Sequence, residues 1–308
     1  MLNTFFRKAS SFFFHLRKGT AGQRIQFLYN QWRDANFWLD YPGLGNSFVY
    51  PLKEGVRLRL YRDDRLSELI YKEDFESNER ALVCHYLKPG MCFLDVGANI
   101  GLYTLISAKI VGSAGLVVAV EPASKTYRKL LDNIKLNGFE NVRARQVALS
   151  DQDEIRELIT YSRRYHAWNS LGGQIVNDQR VRKERVECIC LDRFISEADL
   201  ENRVNLMKID VEGWEWFVLT GGINTLQIPN APDILIEFTD LTLEAAGSSA
   251  SELYNLLMSY RYSLYRIDSA RNRLISEPFG NNHPYDNYFA TQNLARALEL
   301  SGYSHVNL

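Results

Sequence analysis

From Met91 onward, short apolar runs of strand character alternate with stretches whose apolar residues recur at helical spacing, and no other feature restricts the fold as much. Strands separated by helices cannot pair through tight hairpins, so βαβ crossovers and a mostly parallel sheet follow. The spacing predicts strands near 92–96, 115–120, 142–148, 204–210 and 232–238. It predicts helices over 100–111 and 123–137. In the second, Tyr127, Leu130, Leu131, Ile134 and Leu136 form an apolar stripe and Gly138 stops the helix. The 161–179 segment is polar and turn-rich and reads as a loop over a site, and strand character returns over 186–191. Residues 262–267 and 287–291 read as an antiparallel hairpin closing the sheet edge. The expectation is a Rossmann-like α/β domain over 76–308, preceded by an extension of helices and a strand over 1–75.

The extension differs in kind from the body. Helical stretches are expected at about 2–18 and 21–33, followed by a half-exposed strand in which Val56, Leu58 and Leu60 alternate with Arg57 and Arg59. Before Asp34 there are six basic residues and no acid, which leaves 30 basic against 37 acidic residues in the rest. A whole-chain net charge of -1 supplies no field for nucleic acid, so no nucleic-acid partner is expected. Leu2, Phe5, Ala9, Phe12, Phe13 and Leu16 share one helical face opposite Arg7 and Lys18. Such an arm can pack on its own domain, join a second copy of the chain through residues 1–33, or rest on an anionic membrane. Packing is the preferred expectation. No apolar run reaches the length of a membrane span, and Cys84, Cys92, Cys188 and Cys190 are too few for a disulfide framework, so a cytoplasmic chain with reduced thiols is expected. An Arg-rich, acid-free start also resembles an organellar transit peptide.

Chemistry concentrates at the strand ends. In Phe93-Leu-Asp-Val-Gly-Ala-Asn-Ile-Gly-Leu-Tyr-Thr104 a buried strand runs into a glycine-containing turn and then a helix. Gly97 and Gly101 are spaced G-x-x-x-G, not as the G-x-G-x-x-G that binds a pyrophosphate, and Asp95 would repel one. Its carboxylate could instead accept a hydrogen bond from an ammonium. Glu121, 24 residues after Gly97, ends the second strand in Val117-Val-Ala-Val-Glu-Pro122, where a carboxylate can take both hydroxyls of a ribose. Ala148, in Val147-Ala-Leu-Ser-Asp151, could line an adenine or belong to plain sheet core. Asp210 and Glu212, in Leu206-Met-Lys-Ile-Asp-Val-Glu-Gly-Trp-Glu215, lie where ligands of open α/β sheets bind. Glu212 and Glu215 could equally start a helix, but Asp210 after a buried strand needs a partner.

Together, Asp95 to Gly101, Glu121-Pro122, Leu136-Asn-Gly138, Val147 to Asp151, Leu191-Asp192, Lys208-Ile-Asp-Val-Glu-Gly213 and Ile234-Leu-Ile-Glu237 resemble successive blocks of the FkbM family of O-methyltransferases. The resemblance covers about residues 76 to 240. It implies a class I methyltransferase fold of seven strands, with S-adenosyl-L-methionine bound by Asp95, Gly97, Asn99, Gly101 and Glu121 and with Asp210 facing the same crevice. It also implies an acceptor hydroxyl on a sugar, glycan or small metabolite. In-line transfer to an alcohol calls for a base, and the candidates in falling order are Asp210, Glu212, Glu237 and His166. His166 equally suits a surface position. A divalent metal on Asp210, Glu212 and a third acid is the lesser alternative to metal-free transfer, because spacing alone does not show a shared coordination sphere. Asn282-His-Pro-Tyr285 reads as a turn. The rival readings are a non-catalytic partner subunit that keeps the cofactor fold, and a nicotinamide-dependent oxidoreductase, against which the missing G-x-G-x-x-G turn counts.

Overall fold

The computed structural model describes residues 45–62, 64–73, 75–161, 169–173, 181–229, 231–276, 278–280 and 282–307. The predicted helices at 2–18 and 21–33, the basic amphipathic arm and His166 lie outside the described residues. The described chain opens with β1 (Ser47–Pro51), β2 (Arg57–Tyr61), α1 (Arg65–Tyr71) and α2 (Ser77–Tyr86). Then come β3 (Cys92–Val96), α3 (Leu102–Val111), β4 (Leu116–Val120), α4 (Ser124–Asn137) and β5 (Val142–Arg145). A small separate sheet is built from β6 (Ala148–Ser150), β7 (Glu154–Thr160) and β8 (Arg182–Cys190). After it follow α5 (Leu191–Glu197), β9 (Val204–Ile209), α6 (Glu215–Thr220), α7 (Ile223–Leu226) and β10 (Asp233–Phe238). The chain closes with α8 (Asp240–Ala246), α9 (Ala250–Ser259), β11 (Ser263–Asp268), β12 (Arg273–Ser276), β13 (Asp286–Thr291), α10 (Leu294–Ser301) and β14 (Ser304–Asn307).

The main sheet runs in the order β14-β12-β11-β13-β10-β9-β3-β4-β5. Its central five strands, β10 to β5 in that order, are parallel, and β13 runs antiparallel between β10 and β11. This is the expected class I α/β sheet with two differences. The β11–β13 pair is antiparallel as expected, but β12 and β14 extend the sheet beyond it; at four residues each they are too short to leave a periodic signal. The 142–148 run is also not one strand: β5 stays in the main sheet, and from Ala148 the chain enters the small sheet beside β8.

Burial follows from this layering. β3 is buried at all five positions because helices cover both faces of a parallel sheet. Leu94, Val118, Met207 and Ile234 pack on one face with Trp214 and Leu253, while Phe93, Val117, Leu206 and Leu235 pack on the other with Leu105 and Leu82. Leu58 and Leu60 of β2 join this second cluster fully buried, each side chain contributing about 1.5–3 kcal/mol. The hairpin is also tied to α4 through side-chain amides: Arg57 N–H donates to Asn137 Oδ1 at 2.8 Å and Arg59 N–H to Asn133 Oδ1 at 2.8 Å. Among the described residues, no helix is long and apolar enough to cross a membrane.

Successive strands add outward from β3 to β4 and β5 on one side and from β9 to β10 on the other. The order therefore switches between β3 and β9, and a crevice opens beyond their carboxyl ends. Asp95 and Lys208 are register neighbours across this junction.

Candidate active site

At the end of β3, Gly97 holds φ +82°, and a Cβ built there would lie 1.9 Å from the Asp210 carbonyl oxygen. Only a residue without a side chain lets the two strand ends touch this way. The N–H groups of Gly97 and Ala98 both donate to Val120 O, which fixes the turn against β4. Gly101 caps α3 at φ +95°, with its missing Cβ 2.7 Å from Leu130 Cδ1. It lets α3 and α4 approach and lines neither cavity described below, so its place is behind the crevice.

Glu121 follows β4 and is buried. Its Oε2 accepts from Asn99 N–H at 3.0 Å and its Oε1 from Ala123 N–H at 2.9 Å. Burial pushes its pKa up to about 7 against the pull of these two donors. Glu121 lines a cavity with Gly97, Asn99, Val147, Ala148, Leu149, Leu158, Leu171 and Trp214. Ala148 thus stands in a cavity wall and in a packed core at once. Trp214 is set by its Nε1–H donating to Ser150 Oγ at 3.1 Å and by stacking on Phe217.

A second cavity shares Gly97, Asn99, Asp210 and Glu212 with the first and adds Glu76, Asp95, Tyr103, Lys208, Glu237 and Tyr285. It holds several buried acids around one cation. Lys208 Nζ lies 2.5 Å from Asp210 Oδ2, 4.0 Å from Glu76 Oε2 and 4.6 Å from the Tyr103 ring centre. Burial works against the ammonium, but Asp210, Glu76 and Asp95 outweigh it and hold the Lys208 pKa above its ordinary value. Burial also raises the Asp210 pKa, and there Lys208 wins and keeps the carboxyl below its usual range. Asp95 Oδ2 accepts from Thr104 Oγ1 at 2.6 Å, and burial pushes its pKa up to about 6 despite Lys208.

The remaining acids have weaker compensation. Glu237 Oε1 accepts from Thr239 Oγ1 at 2.7 Å, and burial together with Asp210 and Glu212 raises its pKa well above the ordinary value. Burial raises Glu212 in the same way, with Asp210 and Glu215 adding to it. Glu215 opens α6 as expected of a helix-start acid, its Oε1 accepting from Val211 N–H and Gly213 N–H at 3.0 and 3.3 Å.

The fold therefore gathers Asp95, Gly97, Asn99, Glu121, Ala148, Asp210, Glu212 and Glu237 around two joined cavities. Asp210, Glu212 and Glu237 each offer an oxygen, all within 4.8 Å of one another, and are the described residues that could hold a metal ion. Glu76, Tyr103, Lys208 and Tyr285 were not singled out by sequence. Lys208 carried a usable signal, since a lysine inside a buried strand needs acidic partners. Tyr285 leaves the expected turn to donate to Glu76 Oε1 at 2.6 Å, while Tyr103 donates to Glu76 Oε2 at 2.7 Å.

Comparison with known proteins adds the family. Residues 95–264 match the methyltransferase FkbM domain. The chain is 28% identical over 229 residues to the AMB antimetabolite synthetase AmbE of Pseudomonas aeruginosa, a match covering 64% of this chain and 11% of that protein. It is 29% identical over 171 residues to Methyltransferase 1 of Beauveria bassiana, covering 50% of this chain and 66% of that one. The chain thus spans less than two thirds of either relative. Among solved structures, methyltransferase FkbM from Methylobacillus flagellatus is similar at 14% identity and a TM-score of 0.40, over 65% of this chain and 43% of that one.

Proposed function

This chain belongs to the FkbM methyltransferase family, and from that premise we propose that it transfers the methyl group of S-adenosylmethionine to a hydroxyl group of a sugar or other small metabolite. The observation that carries the reading is the junction of the two cavities at Gly97, Asn99, Asp210 and Glu212. One side suits a nucleoside and the other a polar acceptor.

The residues present fit the cofactor. Each Glu121 oxygen has one backbone donor and keeps a lone pair for a ribose hydroxyl. Val147, Ala148, Leu149, Leu158 and Leu171 form an apolar wall for an adenine. Asp95 and Asp210, on either side of the Gly97 turn, present carboxylates to an ammonium. When bound, the cofactor supplies an already activated sulfonium methyl, so the chain has to orient the acceptor, exclude water and accommodate the hydroxyl proton.

The second cavity favours oxygen over nitrogen as acceptor. An amine entering among Glu76, Asp95, Asp210, Glu212 and Glu237 would be held as ammonium, with no lone pair to methylate, whereas a hydroxyl carries no such penalty. The similarity to AmbE, whose name describes an antimetabolite synthetase, agrees with a small-molecule acceptor. Of the base candidates, Lys208 keeps Asp210 below the usual carboxylate range, while burial and the neighbouring acids raise Glu212 and Glu237 above it. Isothermal titration should give binding of S-adenosylmethionine and none of NADH, and hydroxylated acceptors should release S-adenosylhomocysteine from the cofactor. A chain that binds NADH and not S-adenosylmethionine sinks the reading.

A further inference from the structure

We propose that Asp210, Glu212 and Glu237 form a binding site for one hard divalent cation of the Mg²⁺ or Mn²⁺ kind, at the junction of the two cavities. The three carboxylates reach this point from different elements: Asp210 and Glu212 from the turn after β9, Glu237 from the last part of β10. Each offers an oxygen, and these lie within 4.8 Å of one another. Two oxygens bound to one ion at about 2.1–2.4 Å can stand no more than about 4.2–4.8 Å apart, so one ion can close this set with small side-chain movements.

A second observation is independent of the clustering. The Glu212 side chain is buried, and its Oε2 is sealed from solvent with no hydrogen-bond partner among the described residues. A carboxylate oxygen shut away without a donor is costly, and it lines the cavity where Asp210 and Glu237 stand. The nearby ammonium does not supply the missing partner: Lys208 ion-pairs with Asp210 and Glu76, and no ion pair among the described residues reaches Glu212 or Glu237.

The donor set selects the ion. Carboxylate oxygens without nitrogen or sulfur suit Mg²⁺, Mn²⁺ or Ca²⁺, not the softer metals. Three protein ligands leave about three of six octahedral positions for water and for an acceptor, so the site favours an acceptor with two adjacent oxygens that chelate the ion. That role rests on the methyl-transfer reading; the existence of the site does not.

The probe is Mn²⁺, titrated into the EDTA-treated and desalted full chain while the free-ion electron paramagnetic resonance signal is followed. One Mn²⁺ should bind per chain, and Mg²⁺ should displace it. Glu237→Gln and Glu212→Gln should each weaken it at least about tenfold. Far-ultraviolet circular dichroism and thermal melting of the same metal-free samples should match the parent in both variants and show that they are folded, while S-adenosylmethionine binding is measured by calorimetry on the parent chain. Absence of Mn²⁺ binding in the parent chain, or binding equally tight in both variants, overturns the site whatever the cofactor does. Mn²⁺ binding that responds to the two substitutions in a chain that does not bind S-adenosylmethionine upholds the site and removes the methyl-transfer reading instead.

Discussion

The two cavities meet at the same residues yet solve opposite electrostatic problems. In the first, the acid is balanced locally: Glu121 takes one backbone N–H on each oxygen, both from residues within the same βαβ unit. In the second, Glu76, Asp95, Asp210, Glu212 and Glu237 come from separated parts of the chain, and among the described residues Lys208 ion-pairs with Asp210 and Glu76 but not with Glu212 or Glu237. A locally satisfied carboxylate is ready for a neutral partner such as a ribose. A crowd of carboxylates around one ammonium is ready for something that brings positive charge or hydrogen-bond donors. The difference is one of balance: the first cavity holds one locally satisfied acid, the second several acids with one buried cation among them.

The contrast is tested most severely at Lys208. Lys208→Met removes the cation and leaves Asp210, Glu76 and Asp95 facing one another inside the protein. Breaking a buried pair in this way costs about 3–5 kcal/mol, and urea denaturation at neutral pH should show a loss of that order. A loss under about 1 kcal/mol would mean the acids are protonated or solvated already, and this picture of the second cavity would be dropped. Asp210→Asn shares part of this penalty, because Asp210 is bound to Lys208, so its effect on turnover has to be measured beside its effect on stability.

Glu121 is the counterpart in the first cavity, with a smaller expected effect. Glu121→Ala should weaken S-adenosylmethionine binding by about 1–3 kcal/mol and leave Lys208-dependent stability untouched. The pH dependence sharpens this. The folded-state pKa, pushed up to about 7 by burial, lies above the ordinary 4.5. The folded state then holds more protons than the unfolded one in that window, so this group's contribution to stability falls as pH rises from about 4.5 to about 7. Cofactor affinity should move the other way, rising through the same window as the carboxylate that accepts the ribose hydroxyls becomes ionised. Calorimetry between pH 5.5 and 8 should show the rise in the parent and a flatter profile in Glu121→Gln; an unchanged profile would remove Glu121 from the ribose site.

The same contrast explains what could be read from sequence. Gly97 and Glu121 lie in adjoining βα units, where the distance between strand ends is fixed by the crossover, so spacing alone points to both. The alternation of strands and helices likewise gives the five parallel strands and the apolar runs at 262–267 and 287–291 give β11 and β13, while β12 and β14 escape notice as short strands. Glu76 and Tyr285 sit 209 residues apart in sequence and meet only through packing, so no local pattern announces them. Gly101 shows the reverse: its place in the motif is legible, but its close packing against Leu130 is not.

The smallest expected effect falls on Tyr285, and it separates the cavities most cleanly because Tyr285 lines only the second. Its hydroxyl donates to Glu76 Oε1 at 2.6 Å and accepts from Asn287 Nδ2 at 3.3 Å. Tyr285→Phe keeps the ring and its packing and removes the hydroxyl alone. Glu76 retains the Tyr103 hydroxyl at 2.7 Å on its other oxygen, so the carboxylate is not left bare and the cost should be about 1 kcal/mol. If the second cavity holds the acceptor, a loosened wall should raise the acceptor KM about fivefold while cofactor affinity stays within measurement error. Should cofactor affinity fall instead and the acceptor KM hold, Tyr285 would belong to the cofactor's side of the crevice, and the division of labour between the two cavities would have to be redrawn with the methionyl end of the cofactor occupying the acidic one.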